Sequence, residues 1–179
     1  MKKVHLGCGK RDFPGFINVD ICDFPHIHYK SSINLLPFFE DNSIDYIYCS
    51  HALEYYDLIE AIEVLKEWKR VMKNKAILRV CVPNFDSLIK VYNQTNDLDK
   101  IIGPLYGRMP ADDKLIYHKT VYNFKKLSRL LSDVGFNHIK EYDWRDTDHA
   151  DYDDHSQAYF PHMDKKNGIL VSLNIESKK

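Results

Sequence analysis

Along this chain, short apolar runs bounded by glycine, proline and polar turns alternate with segments of 3.6-residue periodicity. The first run, Lys3–Leu6, leads into Gly7-Cys8-Gly9, and a second follows over Gly15–Ile21. Both are apolar enough to be buried on two faces, as strands of a parallel sheet are. Only Lys10–Pro14 separates the turn from the second run. A crossover helix takes about a dozen residues, so a single turn at most is expected there. Ile27–Asn34 is a candidate third strand, and Ile44–Cys49, rich in Ile and Tyr, a buried fourth.

Asp57–Lys73 carries the clearest helical pattern, with Leu58, Ile62, Leu65, Trp68 and Met72 on one face. Asp57 with Glu60 three residues on resembles a capping box, and Lys69, Arg70 and Lys73 suit the last turn. Asn74-Lys75 closes the helix, Ala76–Val82 reads as another buried strand, and Pro83 stops it. Asn84 is placed to cap a helix through Tyr92. Gly103, Pro104, Gly107 and Pro110 predict a loop-rich insertion over 93–120. A second periodic stretch starts at Asn123 and ends at Gly135, with Phe124, Leu127, Leu130, Leu131 and Val134 on one face. Phe136–Tyr142 and Gly168–Glu176 complete the strands as a closing antiparallel hairpin. The polar, histidine-rich loop 143–167 between them is too long for a plain connector. Strands alternating with helices predict an α/β doubly wound sheet in one domain spanning 1–179.

Composition narrows this picture. A formal net charge of −1 gives no basic stripe for nucleic acid or an anionic membrane. No apolar run approaches the roughly 18 residues of a membrane span, and Gly7 and Lys10 interrupt any signal-peptide core. Four scattered cysteines, Cys8, Cys22, Cys49 and Cys81, suit reduced thiols, and a cytoplasmic setting is expected. His149, His155 and His162 stand six and seven apart, unlike common zinc spacings, so no metal is expected.

The candidate chemistry begins at the first turn. Gly7 and Gly9 can take backbone angles and close approaches forbidden to other residues. Asp20, at the end of the next strand, is placed as the acid that binds ribose hydroxyls in dinucleotide folds. G-x-G alone is weak, but four segments in order add to it. His5-Leu6-Gly7-Cys8-Gly9 resembles the first motif of class I S-adenosylmethionine-dependent methyltransferases. Asn34–Ile47 is similar to that family's LPF-x-D-x-SFD segment, Ser50–Tyr55 to its S-x-x-LEH segment, and Arg70–Ala76 to its R-V-L-K-P-G-G turn. Stretches 118–121 and 151–157 are similar to a short bacterial branch often tied to sugar or cell-envelope pathways.

The resemblance implies a Rossmann-like sheet of seven strands, the last antiparallel, with S-adenosylmethionine over the carboxyl ends of the first strands. Gly7, Cys8 and Gly9 would then approach its methionine and ribose portion. Asp20 and Ile21 would meet the ribose, Asn34 and Leu35 the adenine, and Ser50 and His51 the methionine end. The chain departs from the family at His5, where an acid is common, and at Asn74-Lys75, where Pro-Gly is. It also has about half the usual distance between Gly9 and Asp20. A hydroxyl acceptor benefits from a general base, which histidine supplies near neutral pH. His51 and His118 are the candidate bases, and Asp154, in the dense cluster Asp151–His155, is a candidate to bind the acceptor or position a base. The expected acceptor is a small molecule or glycan-like compound. The competing reading is a non-catalytic binding or regulatory protein of the same fold. A nicotinamide oxidoreductase fits less well, since the turn lacks the third glycine.

Overall fold

A computed structural model of the protein describes residues 1–111 and 114–179. Its main sheet has seven strands: β1 (Lys3–Leu6), β2 (Phe16–Asp20), β3 (Tyr29–Lys30), β4 (Ile44–Ser50), β5 (Met72–Pro83), β8 (Asn137–Glu141) and β11 (Ser172–Lys178). Their spatial order is β3-β2-β1-β4-β5-β11-β8. β11 runs antiparallel to both β5 and β8, while the pairings among β1 to β5 are parallel. The expected sheet and its closing hairpin are therefore present.

Side chains alternate across the pleat, so each strand feeds two cores. Val4, Leu6, Ile47, Cys49, Leu78, Val80 and Ile175 point to one face. There they meet α1 (Leu58–Val71) through Ala61, Val64, Leu65 and Trp68, and α4 (Phe124–Val134) through Leu127 and Leu131. α1 begins with the capping box read from the sequence: Asp57 accepts from the Ile59 and Glu60 amides, and Glu60 accepts from the Asp57 amide. Gly135 ends α4 in the left-handed region, at φ +93°. The opposite face presents His5, Phe16, Tyr46, Tyr48 and Cys81.

Among the described residues no helix follows β1 to cover that second face. The segment after Gly9 is a set of turns, and the long loop from residue 143 folds back as its roof. Phe13 stacks between His5 and His149 at 4.7 and 4.9 Å, and Tyr48 lies 4.4 Å from His149. The loop is fastened by buried polar bonds. Tyr48 donates its hydroxyl to Asp154, and Asn174 Nδ2 donates to the Ser156 carbonyl at 2.9 Å.

Three local expectations are corrected. Ile27–Asn34 supplies only the two-residue strand β3, because 31–35 turn back on themselves through Leu35 N to Ser32 O and Ser31 Oγ to Leu35 O. Asn84 precedes α2 (Phe85–Thr95) without capping it through its side chain; its amide is tied to Val171 O instead. The insertion is more ordered than its glycines and prolines suggested. It forms α3 (Asp99–Tyr106), with Pro104 inside, and a hairpin of β6 (Met109–Ala111) and β7 (Lys114–Ile116). Two short strands, β9 (Tyr159–Phe160) and β10 (Ile169–Leu170), pair within the late loop. Among the described residues no helix is long and apolar enough to cross a membrane.

Candidate active site

A cleft of about 1240 Å³ opens over the carboxyl ends of β1, β2 and β4, the usual ligand position in an open α/β sheet. Its wall starts at Gly7-Cys8-Gly9. Gly7 has φ +66°, and a Cβ there would stand 2.6 Å from the Ala52 Cβ, so the turn and the segment after β4 meet only because Gly7 has no side chain. Gly9, at φ +56°, has open space where a Cβ would be. That opening lets a ligand approach the backbone itself.

Asp20 ends β2 beside this turn and is buried. Its carboxylate accepts from the Gly9 amide and the Cys22 amide, each at 2.8 Å, one to each oxygen. A carboxylate oxygen has two lone pairs, so both oxygens keep capacity for a pair of hydroxyls. Ile21, Phe24 and Ile33 supply apolar wall on either side. Ser50, at the end of β4, lines the cleft with a buried Oγ that has no partner among the described residues. A ribose diol at Asp20, a flat base against the apolar wall and a polar tail by Ser50 all match what this wall offers. The residues present fit S-adenosylmethionine. Cys8 is part of the same wall, and burial pushes its thiol up to about 12, which removes it as a nucleophile.

Asn34 and Leu35 stand apart from this wall. Leu36 takes the buried position in their segment, and Leu35 is 58% exposed. Asn34 is set back, its Oδ1 accepting from the Ser32 hydroxyl, and Ser32 and Ile33 face the cleft instead. The tight turn over residues 31–35 decides which two residues of that segment face inward.

Two of the three candidate catalytic side chains lie in the cleft. His51 follows β4 with φ +54°, in a region costly for a non-glycine residue and often occupied at functional sites. Its Nε2 is 3.0 Å from Ser172 Oγ. His118 enters from the insertion, its ring packed over Gly107 and its Nδ1 3.0 Å from the Pro104 carbonyl. Burial is the first cause that lowers both imidazoles from their usual value. Asp154 lies outside the lining: it is buried, takes the Tyr48 hydroxyl, and caps the turn His155–Gln157 through the Ser156 amide.

Its neighbour His155 does line the cleft, with its ring centroid 5.1 Å from that of His51. Burial lowers this imidazole too. No sequence pattern marks the difference, since Asp154, His155 and Ser156 are all polar; only in the fold are Asp154 and Ser156 buried while His155 points out. Tyr55, Tyr117, Arg11 and Arg108 complete the mouth.

Comparison with known proteins agrees with this geometry. The family model described as a methyltransferase domain matches residues 18–80. An uncharacterized protein of Methanocaldococcus jannaschii is 31% identical over 162 residues, covering 79% of this chain and 67% of that one. Among solved structures, an S-adenosylmethionine-dependent methyltransferase from Archaeoglobus fulgidus is 20% identical with a TM-score of 0.62, covering 99% of this chain and 86% of its own. One from Methanosarcina mazei is 18% identical, also at 0.62, with 99% and 92% covered. The match over residues 18–80 places that segment in the methyltransferase-domain family, and the structural likeness shows that the chain has the fold of S-adenosylmethionine-dependent methyltransferases.

Proposed function

We propose that this protein transfers a methyl group from S-adenosylmethionine to a small-molecule or glycan-like acceptor. The observation that carries the donor half is the Asp20 carboxylate, fixed by two backbone amides opposite the open Gly9. The acceptor half rests on the size of the cleft, which exceeds the 300–1000 Å³ of an ordinary ligand pocket. Room remains beyond the donor, bounded by His51, His118, His155, Tyr55 and Tyr117. A net charge of −1 does not favour a nucleic-acid acceptor.

When bound, the cofactor supplies the electrophilic methyl carbon. The chain supplies position, a covered site and a destination for the acceptor's proton. Gly7–Gly9 and Asp20 hold the nucleoside end, and Ser50 faces the methionine end. Desolvation lowers the His155 imidazole from its usual value, and its ring makes no hydrogen bond among the described residues. It is the group we assign to take the acceptor's proton, with His51 and His118 behind it.

Calorimetry with S-adenosylhomocysteine tests the donor site, and no heat of binding at millimolar ligand would end the proposal. Turnover of labelled cofactor against panels of hydroxylated small molecules and oligosaccharides, with RNA and protein panels alongside, tests the acceptor class. Labelling confined to the latter two would refute it.

A further inference from the structure

Behind the cleft wall, beneath His51 and His118, lies a carboxyl group that is not itself part of the lining. Glu54 lies in the turn Leu53–Tyr55 and is 1% exposed. Neither carboxyl oxygen has a hydrogen-bond partner among the described residues. Its Oε1 stands 3.6 Å from His51 Nδ1 and 3.6 Å from His118 Nε2.

The far nitrogen of each ring is already committed. Ser172 gives its hydroxyl hydrogen to Asn174 Oδ1 at 2.8 Å, so toward His51 Nε2 it can only accept. The Pro104 carbonyl facing His118 Nδ1 is likewise only an acceptor. Each neutral imidazole therefore carries its hydrogen on the far side and turns a lone pair toward Glu54. Two lone pairs and an ionised carboxylate would face one another in a buried space. An uncompensated buried charge is costly enough that such a group takes up a proton instead.

We infer that Glu54 is a positioning residue of the methyl-transfer site, a protonated carboxyl that holds one proton in common with His51 and His118 and so fixes both rings at the cleft floor. The inference rests on reading this cleft as the methyl-donor site. The shared proton has two resting places: on Glu54 with both imidazoles neutral, or on one imidazole with Glu54 ionised. The number of protons is the same in both, so the three groups titrate as a unit. Burial selects the uncharged arrangement, raising the Glu54 carboxyl to about 8 and lowering both imidazoles.

The surrounding titratable groups agree. Cys49 from β4, Cys81 from β5, Tyr55 beside Glu54 and Tyr122 before α4 are all pushed above their usual values by burial, so they stay neutral. His155 across the cleft is lowered in the same way. At His51, burial, then His155 and His118, and last the Arg11 charge all disfavour the cation, in keeping with a proton on Glu54. The backbone is shaped to the arrangement as well. A Cβ at Gly107 would lie 1.9 Å from His118 Nε2, so the ring reaches Glu54 only over a glycine.

Glutamine is the informative replacement. The amide of E54Q offers one hydrogen to each imidazole lone pair and does not ionise, whereas E54A offers none. Ring-15N histidine spectra of the full chain, without ligand, should show His51 with hydrogen on Nε2 and His118 with hydrogen on Nδ1. Both rings should shift together with a common midpoint near 8. E54Q should keep both hydrogen placements and lose that midpoint; E54A should lose both placements. Two rings titrating independently near their usual 6.5 in the parent protein would overturn the inference, as would an E54Q protein that retains the midpoint. If E54A does not fold, the parent and E54Q decide. S-adenosylhomocysteine calorimetry on the same samples separates the two claims. A common midpoint without binding overturns the donor-site reading, and binding with independent rings overturns the shared proton.

Discussion

Replacing His5 with phenylalanine isolates one cause of acid sensitivity in this fold. His5 is 1% exposed, and its Nδ1 has no partner among the described residues. Burial is the main cause that lowers its imidazole from 6.5 to about 3, with the nearby His149 and Arg11 adding to it. The folded chain thus keeps His5 neutral down to about pH 3, while the unfolded chain protonates it near 6.5. Below 6.5 the unfolded state binds a proton that the folded state does not. The contribution to stability is therefore complete above 6.5 and is lost as pH falls toward 3. At about 1.4 kcal/mol per pH unit, rounded off near 6.5, the loss between pH 7 and 5 is about 2 kcal/mol.

H5F has no such titration and should lose about 2 kcal/mol less than the parent over that interval. Urea unfolding of both proteins at pH 7 and pH 5, followed by circular dichroism, measures it. The larger ring among Phe13, Phe16 and Tyr48 brings its own packing cost, about 1–3 kcal/mol. That cost is the same at both pH values and cancels in the double difference. His51, His118, His149 and His155 are also lowered by burial, and they remain in both proteins. Equal acid losses in parent and variant, within about 0.5 kcal/mol, would refute a buried neutral His5.

Three further substitutions probe the site and its roof. Asp20→Ala removes the two oxygens proposed to accept from the ribose, and at about 1.5–3 kcal/mol per charged hydrogen bond S-adenosylhomocysteine affinity should fall at least about 100-fold; unchanged affinity by calorimetry would remove Asp20 from the proposed site. Gly7→Ala places a methyl group 2.6 Å from the Ala52 Cβ at φ +66°, and should cost about 2–4 kcal/mol from overpacking and backbone strain together; a thermal melt matching the parent's would contradict this. Tyr48→Phe leaves the buried Asp154 carboxylate short of a donor, which costs about 1–3 kcal/mol. Hydrogen exchange over 143–157 should then speed up by about 5- to 150-fold while β4 is spared, and unchanged protection there would show that this bond does not hold the loop.

How far the fold could be read from residues follows from how local each signal is. The α1 cap, the α4 glycine stop and strand β1 depend on side chains within a few positions of each other, and all three stand where the pattern puts them. β3 and α3 do not depend on local signals alone. Ile27–Asn34 has strand composition, yet two side-chain and backbone bonds turn 31–35 out of the sheet. Gly103 and Pro104 are breakers by propensity, yet Ile101 is buried against Leu88 and Val91 and holds a helix around them. Tertiary packing outweighs intrinsic preference over so short a segment.

The site divides along the same line. Gly7, Gly9 and Asp20 are legible because backbone chemistry constrains them: two positive φ values, and an acid one strand away that must reach the amide of the turn. Catalytic candidates are less so, because their meaning depends on residues far along the chain. His51 and His118 are 67 positions apart in the sequence, and in the fold both approach Glu54. In the sequence Glu54 passes as one member of a motif; folded, it is the buried carboxyl on which two ring nitrogens converge. Asp154 lies outside the cleft lining and His155 within it for a related reason. The acid is bonded to Tyr48, a residue of the central sheet on the face where no helix follows Gly9. The short first turn, which removes the usual cover over β1, is thus what admits the late loop to the site and brings His155 to the cleft. Lengthening that turn should displace the loop before it disturbs Asp20.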